Sequence, residues 1–273
     1  MGRLSNRVIA ITGASAGIGW ACAERLAAEG ASIVVNARRA DRLQALVASI
    51  TAHGGRARAV PGDVTNEADM RALVGQAVEA FGRLDVMICN AGIGFHDTFA
   101  ATPSDVMRRL VDVNLLGTFY AAQAAIEVFT RQQAGHIIAV SSIVGRRGIA
   151  GSAVYSATKA AQIGFIEALR AEFLDTHLKA SIVFPVGTDT EFHEAIRRDY
   201  GHEVRGIGPR QSADTVARAI ADCVASPRAE VYPLRKAWWL ALLSVAAPAQ
   251  ADRVVQRFGR RRAPTHPDAG STP

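Results

Sequence analysis

Short apolar runs alternate with longer stretches of helical periodicity along most of this chain. "VIAI", "SIVV", "DVMIC" and "HIIAV" are apolar at nearly every position. A strand with one wet face alternates apolar and polar residues, whereas a strand covered by helices on both faces does not. The pattern predicts strands over 8–12, 32–36, 57–61, 85–89, 136–141, 179–184 and 230–233. Helical stretches lie between them, near 18–29, 40–53, 67–81, 104–133, 153–176 and 212–225. This alternation predicts an α/β fold: a single doubly wound, Rossmann-type domain whose seven-stranded parallel sheet carries helices on both faces.

The 273 residues, 49% of them hydrophobic, suffice for one large domain. That domain is expected over residues 1–234, with a helical extension over 235–262. A disordered tail is expected over 263–273, where "APTHPDAGSTP" shows no apolar pattern. Net charge is +6, but residues 235–262 hold seven basic side chains against the single acid Asp252 and so carry the whole excess. A neutral body with a basic end points to a local anionic partner and away from nucleic acid. Three widely spaced cysteines, Cys22, Cys89 and Cys223, fit reduced thiols in a cytoplasmic compartment. The opening "MGRLSNRVIAITG" runs almost directly into a strand, so no signal peptide is expected.

The first strand ends in "TGASAGIG", residues 12–19. Gly13, Gly17 and Gly19 fall where strand turns to helix, with Ser15, Ala16 and Ile18 in the same turn. Such a turn lets backbone approach a pyrophosphate, whose charge rests on the helix N-terminus. An NAD site usually places an acid about 20 residues on, where it bonds the ribose hydroxyls. Here the second strand ends in "VVNARRADRL", with Asn36 and Ala37 in that place and Arg38 and Arg39 after them. Guanidiniums would bind a 2′-phosphate that an acid would repel, so NADP(H) is preferred over NAD(H). Arg39 also reads as a solvated residue at a helix start.

In "AVYSATKAA", Tyr155 and Lys159 are four apart on a predicted helix and share one face. A phenol with a pKa near 10 exchanges protons poorly at neutral pH, and a neighbouring ammonium would favour its phenolate. Upstream, "VSSIVG" places a hydroxyl at the carboxyl end of a strand, where ligands bind in such sheets.

These pieces together resemble the short-chain dehydrogenase/reductase family, in its compact one-domain branch, over residues 7 to about 234. The resemblance rests on "TGASAGIG", the "NAG" of Asn90, Ala91 and Gly92, Asn114 in "VNLLG", Ser142 and "YSATK", in the family's order. The 13-residue interval to Tyr155 selects Ser142 over Ser141. It implies an oxidoreductase moving hydride between nicotinamide and a carbonyl or alcohol, with no metal. Tyr155 would be the general acid or base and would border the cofactor, while Lys159 would bind the nicotinamide ribose. Ser142 would hold the substrate oxygen, and Asn114 would help hold a water that links Lys159 to solvent. Asp63, beside Val64 in "PGDV", resembles the adenine-contacting acid, and "NAG" the wall beside the adenosine ribose. Asp63 also reads as a turn or cap residue. In "PVGTDT", Pro185, Val186, Thr188 and Thr190 stand where the family borders the nicotinamide, but Val186 replaces its usual glycine. The family also implies a homodimer or homotetramer, associating through the helix that carries the tyrosine.

The pocket stretches contribute Ile93, Phe95, Ile143, Ile149, Val186 and Phe192, which suits a small hydrophobic carbonyl or alcohol substrate. His96 and His193 read as loop surface, and residues 187–210 as a mobile lid. Reduction of a 3-oxoacyl thioester and a non-catalytic NADP(H)-binding sensor or scaffold are the alternatives. Against the first stands the extension past the seventh strand, and against the second the complete set Asn114, Ser142, Tyr155 and Lys159. That extension contains an uncharged run of 15 residues, 237–251, interrupted by Pro248. It is too short to span a bilayer, which takes about 20. Ala251, Val254, Val255 and Phe258 share one helical face, with Arg253 and Arg257 off it. Two readings stay open: a helix pair packed on protein, or peripheral membrane contact through Trp238, Trp239 and 240–243, with arginines on lipid phosphate.

Overall fold

A computed structural model of the chain describes residues 2–200 and 210–259. Its strands are β1 (Val8–Thr12), β2 (Ser32–Ala37), β3 (Arg56–Pro61), β4 (Val86–Cys89), β5 (Gly135–Val140), β6 (Leu178–Val183), β7 (Gly187–Asp189), β8 (Arg210–Ser212) and β9 (Glu230–Val231). Its helices are α1 (Gly17–Ala28), α2 (Ala40–Ala52), α3 (Glu67–Phe81), α4 (Ser104–Val111), α5 (Gly117–Gln132), α6 (Ile143–Arg146), α7 (Ala153–Glu172), α8 (Phe192–Tyr200), α9 (Ala213–Ala225), α10 (Ala237–Ala246) and α11 (Pro248–Gly259).

Seven strands form one parallel sheet in the order β3-β2-β1-β4-β5-β6-β9. Successive side chains point to opposite faces, and both faces are dry. Ile9 and Ile11 pack with Leu26 of α1, Leu43 of α2 and Ile220 of α9. Val8 and Ala10 pack with Leu73 of α3, Phe129 of α5 and Ile166 of α7. Edge strand β3 departs most from the continuous apolar pattern, with Arg56 and Arg58 exposed. The chain leaves β1 toward β3 on one side and β4 toward β9 on the other. The crevice at their carboxyl ends is therefore the switch point where such sheets bind ligands.

Three local features differ from the expected pattern. The single helix expected over 104–133 is broken by a π turn, Asp112–Leu116, between α4 and α5. The turn contains no proline or glycine, so no break signal marks it in the sequence. β7 and β8 form a separate two-stranded ribbon, too short for a periodic signal. Within the expected lid, residues 192–200 form α8, whose Ile196 is buried. Residues 201–209 of that lid lie outside the described residues.

The extension folds as two helices in contact, and α10 also meets α6. Pro248, which interrupts the uncharged run, is the first residue of α11, where its missing N–H costs nothing. Arg147 donates to the Pro248 carbonyl at 2.8 Å and pairs with Asp252, tying α11 to the loop after α6. Ala251 and Val255 are buried, and Arg253 is exposed. The side chains of Arg257 and Phe258, the arginines 260–262 and the tail 263–273 lie outside the described residues. Among the described residues, no helix is long and apolar enough to cross a membrane.

Candidate active site

A cavity of about 600 Å³ runs along the carboxyl ends of the strands. At one end lies the β1–α1 turn. Gly17 has φ +58°, and a Cβ there would sit 2.9 Å from Thr190 Cγ2, so only glycine lets the turn and the β7 segment close together. No side chain caps the N-terminus of α1 and no acid stands in its first turn, which leaves donors free for an anion. Gly13, Ser15, Ala16, Gly17 and Ile18 line this end, and Gly19 is buried behind them. Asn36, Arg38, Arg39, Asp63 and Val64 line the cavity from the ends of β2 and β3. The buried Asn36 donates to the Val60 carbonyl, while its Oδ1 has no partner among the described residues. Free helix donors, exposed guanidiniums and an orphaned amide oxygen fit a nicotinamide dinucleotide.

Several of these side chains also hold the walls in place. Asn90 Nδ2 donates to the carbonyls of Thr12 and Gly13 at 3.0 and 3.1 Å, binding the "NAG" loop to the end of β1. Ala91 and Gly92 then face the cavity. Asp63 Oδ1 accepts from both the amide and the hydroxyl of Thr65 at 3.0 Å, while Asn66 caps α3. Thr190 Oγ1 accepts from the Phe192 amide, and Thr188 Oγ1 donates to the Val186 carbonyl. Val186 lines the cavity half-buried, beside the buried Pro185.

Arginine traffic at the cofactor end is denser than the sequence shows. Arg39 donates to Ser15 Oγ at 3.2 Å and pairs with Glu191 at 3.1 Å. Arg42, one turn further along α2, pairs with the other oxygen of Glu191, also at 3.1 Å, and lies over the Trp20 ring. Neither Arg42 nor Glu191 is a candidate from sequence. Arg42 sits at i+3 from Arg39, a readable signal; Glu191 arrives from the far side of the sheet.

At the opposite end the structure brings Asn114, Ser142, Tyr155 and Lys159 together. Ser142 is the N-cap of α6, accepts from the Val144 amide, donates to the Pro185 carbonyl at 3.5 Å, and shares the cavity wall with Tyr155. Ser141 turns away, its hydroxyl donating to the Lys159 carbonyl at 2.8 Å. Lys159 is buried, and its Nζ donates to the Val140 carbonyl at 2.9 Å and to Gln162 Oε1 at 3.2 Å. Asn114, in the π turn, donates to the Ile93 carbonyl and Thr158 Oγ1 and accepts from the Ile93 amide.

The electrostatics differ from the lowering of Tyr155 foreseen from its neighbour. Burial pushes the Tyr155 phenol up to about 12, opposed only by the Ser142 hydrogen bond, and burial pushes Lys159 down to about 8. Lys159 Nζ lies 5.9 Å from the phenol ring centroid and is aimed at the backbone rather than the hydroxyl. At that distance its charge does not offset the desolvation of the phenolate.

Ile93, Ile143, Ile149, Val186 and Phe192 line the substrate end. Phe95 does not; it is buried beneath, edge-on to Tyr200 and packed with Val106 and Leu110. His96 is not loop surface: it lines the cavity and bonds Ser152 at 2.6 Å. The His193 side chain lies outside the described residues. α8 lies directly on the loop after β4, where a Cβ on Gly94 would meet Phe192 Cζ at 2.5 Å. Leu234, Ala237, Leu240, Val254 and Val255 complete the wall, so α10 and α11 belong to the same cavity.

Fold and site define a nucleotide-binding oxidoreductase, and comparison with known proteins carries this further. The family model for short chain dehydrogenases matches residues 7–201. The chain is 37% identical over 226 residues to the uncharacterized oxidoreductase Lmo0432 of Listeria monocytogenes, covering 80% of this chain and 91% of that one. It is 30% identical over 262 residues to the ketoacyl reductase HetN of a Nostoc species, covering 95% and 91%. A Burkholderia cenocepacia short chain dehydrogenase solved with NADP aligns with TM-score 0.73 and 33% identity, over 84% of this chain and 96% of that one. A Burkholderia phymatum relative solved with NAD shares the fold, with TM-score 0.82 at 24% identity over 98% and 100%. The chain belongs to the short-chain dehydrogenase family, oxidoreductases that act on CH–OH and C=O groups with a nicotinamide cofactor.

Proposed function

We propose that this chain is an NADP(H)-dependent oxidoreductase acting on a hydrophobic carbonyl or secondary alcohol, with Tyr155 as general acid and base. One observation carries the reading: Tyr155 and Ser142 share the wall of a mostly apolar cavity, with Lys159 buried behind them. Bound nicotinamide would supply the hydride. The protein's part is then positional. Ser142 holds the carbonyl oxygen beside the phenol, and Tyr155, kept protonated by burial, delivers a proton from its hydroxyl. Arg38 and Arg39, with no acid at the end of β2, support NADP(H) over NAD(H). α8 and the C-terminal helices wall the cavity.

Reduction of a 3-oxoacyl thioester remains the second reading, favoured by the Nostoc ketoacyl reductase, whose similarity runs through the extension. The extension therefore does not separate the two. We further read α7, where Phe165 packs against Phe119 of α5, as the face for a second copy of the chain. The protein is read as working in the cytoplasm, with α10 in peripheral contact with a membrane.

A panel of steroids, retinoids, acyl thioesters and small ketones, assayed with both cofactors, tests the reading. Tyr155→Phe should lower kcat by about 10²–10⁴-fold with NADPH affinity unchanged. Full NADPH oxidation by Tyr155→Phe would sink the mechanism, and NAD(H) preference in both the parent and Arg38→Ala would sink the cofactor assignment.

A further inference from the structure

Gln162 lies one turn beyond Lys159 on α7, in the helix interior, and is wholly buried. Its amide has a single workable orientation. Nε2 donates to the Asn114 carbonyl at 2.7 Å and to Thr118 Oγ1 at 2.8 Å. The Thr118 hydroxyl itself donates to the Asn114 carbonyl at 2.8 Å, so its oxygen is left to accept. Reversing the amide would set oxygen against that carbonyl, so Oε1 must face Lys159 Nζ, at 3.2 Å. Gln162 thus bridges Lys159 and the Asn114 carbonyl directly.

We infer that Gln162 is a positioning residue of the active site, holding the Lys159 ammonium at the end of a fixed polar chain that runs through Asn114 and Thr118. The π turn supplies the anchor, because Asn114 sits within it with its carbonyl oxygen accepting both donors. A buried ammonium needs acceptors to stay charged. Lys159 has two, Gln162 Oε1 and the Val140 carbonyl. Among the described residues no opposing charge stands beside it. On its own helix the titratable neighbour is Tyr155; β5, the π turn and α5 present the Val140 carbonyl, Asn114 and Thr118. Arg146 of α6 points away, to Glu167 and Glu230. Burial pushes Lys159 down to about 8, and loss of Oε1 would push it further in that direction.

Lysine is scarce enough for a direct test. The chain has three: Lys159, Lys179 and Lys236. Protein labelled with [ε-¹³C]lysine gives one signal for each, and Lys159→Met identifies the relevant one. In Gln162→Met, of similar volume but without the amide, the Lys159 midpoint should fall by about one unit, a tenfold change in its dissociation constant. Thr118→Val removes one of the two acceptors that anchor the amide and should lower the midpoint by less. An unmoved midpoint in folded Gln162→Met overturns the inference. Where Met at 162 costs the fold, Thr118→Val decides, a fall supporting and no movement overturning. The inference rests on Lys159 being part of the proposed catalytic set, yet the two fail separately. A parent enzyme without turnover sinks that function, while the titration still reads the positioning.

Discussion

Replacing Glu191 by glutamine should tighten NADP⁺ binding and leave NAD⁺ binding alone. Glu191 holds Arg39 and Arg42 with one oxygen each, both at 3.1 Å, and Arg39 is one of the two cations read as receiving a 2′-phosphate. A phosphate that takes those guanidiniums competes with Glu191 for their charge and donors. All three side chains are over 40% exposed, so each pair is worth the modest amount of a surface salt bridge. Two such pairs together hold about 1 kcal/mol, which corresponds to about fivefold in Kd. NAD⁺ lacks the phosphate and has no claim on these arginines.

Calorimetric titration of parent and Glu191→Gln with both dinucleotides checks this. We expect about a fivefold lower Kd for NADP⁺ and a change under about twofold for NAD⁺. The gap should narrow between about 0.05 and 0.5 M salt as screening shortens. Weaker NADP⁺ binding would mean that Glu191 orients the arginines for phosphate, and equal changes for both dinucleotides would mean that it acts through the lid. Either result refutes the competition argument.

Two further outcomes follow from other parts of the molecule. His136 is buried with Nε2 on Ser181 Oγ at 2.7 Å, and burial, with Arg7 and Lys179 nearby, pushes it down to about 4. Because its folded pKa lies below the unfolded value near 6.5, the neutral ring's stabilisation is complete above that pH. It is lost as pH falls toward 4, by up to about 3 kcal/mol, so Tm of the parent should drop more steeply between pH 7 and 4.5 than Tm of His136→Asn. On α10, Trp238, Trp239, Leu242 and Val245 are exposed, and Arg235 and Lys236 precede them. Full-length protein should co-sediment with anionic vesicles and Trp238→Ala/Trp239→Ala should not; no binding by the folded parent ends the membrane reading.

What sequence could and could not show follows from the range of each interaction. Sheet and main helices were legible because burial on both faces writes itself into every strand residue, as in β1 and β5, whose alternate side chains enter two different cores. The glycine turn and the Tyr155–Lys159 spacing were legible because each is local. The π turn was not, since no proline or glycine within 112–116 marks a break. Glu191 and Arg42 meet across 149 residues of chain, and no local pattern encodes that pairing. The C-terminal helices show the same limit from another side. Pro248 reads as an interruption in a hydrophobic run, yet in place it starts a helix and its carbonyl accepts from Arg147. Through that contact the segment that looked separable from the catalytic domain sets Leu240 and Val255 into the cavity wall. The cavity wall therefore includes a stretch beyond the 7–201 match to the family model. Relatives that share the motifs but not this stretch need not share this enzyme's substrates.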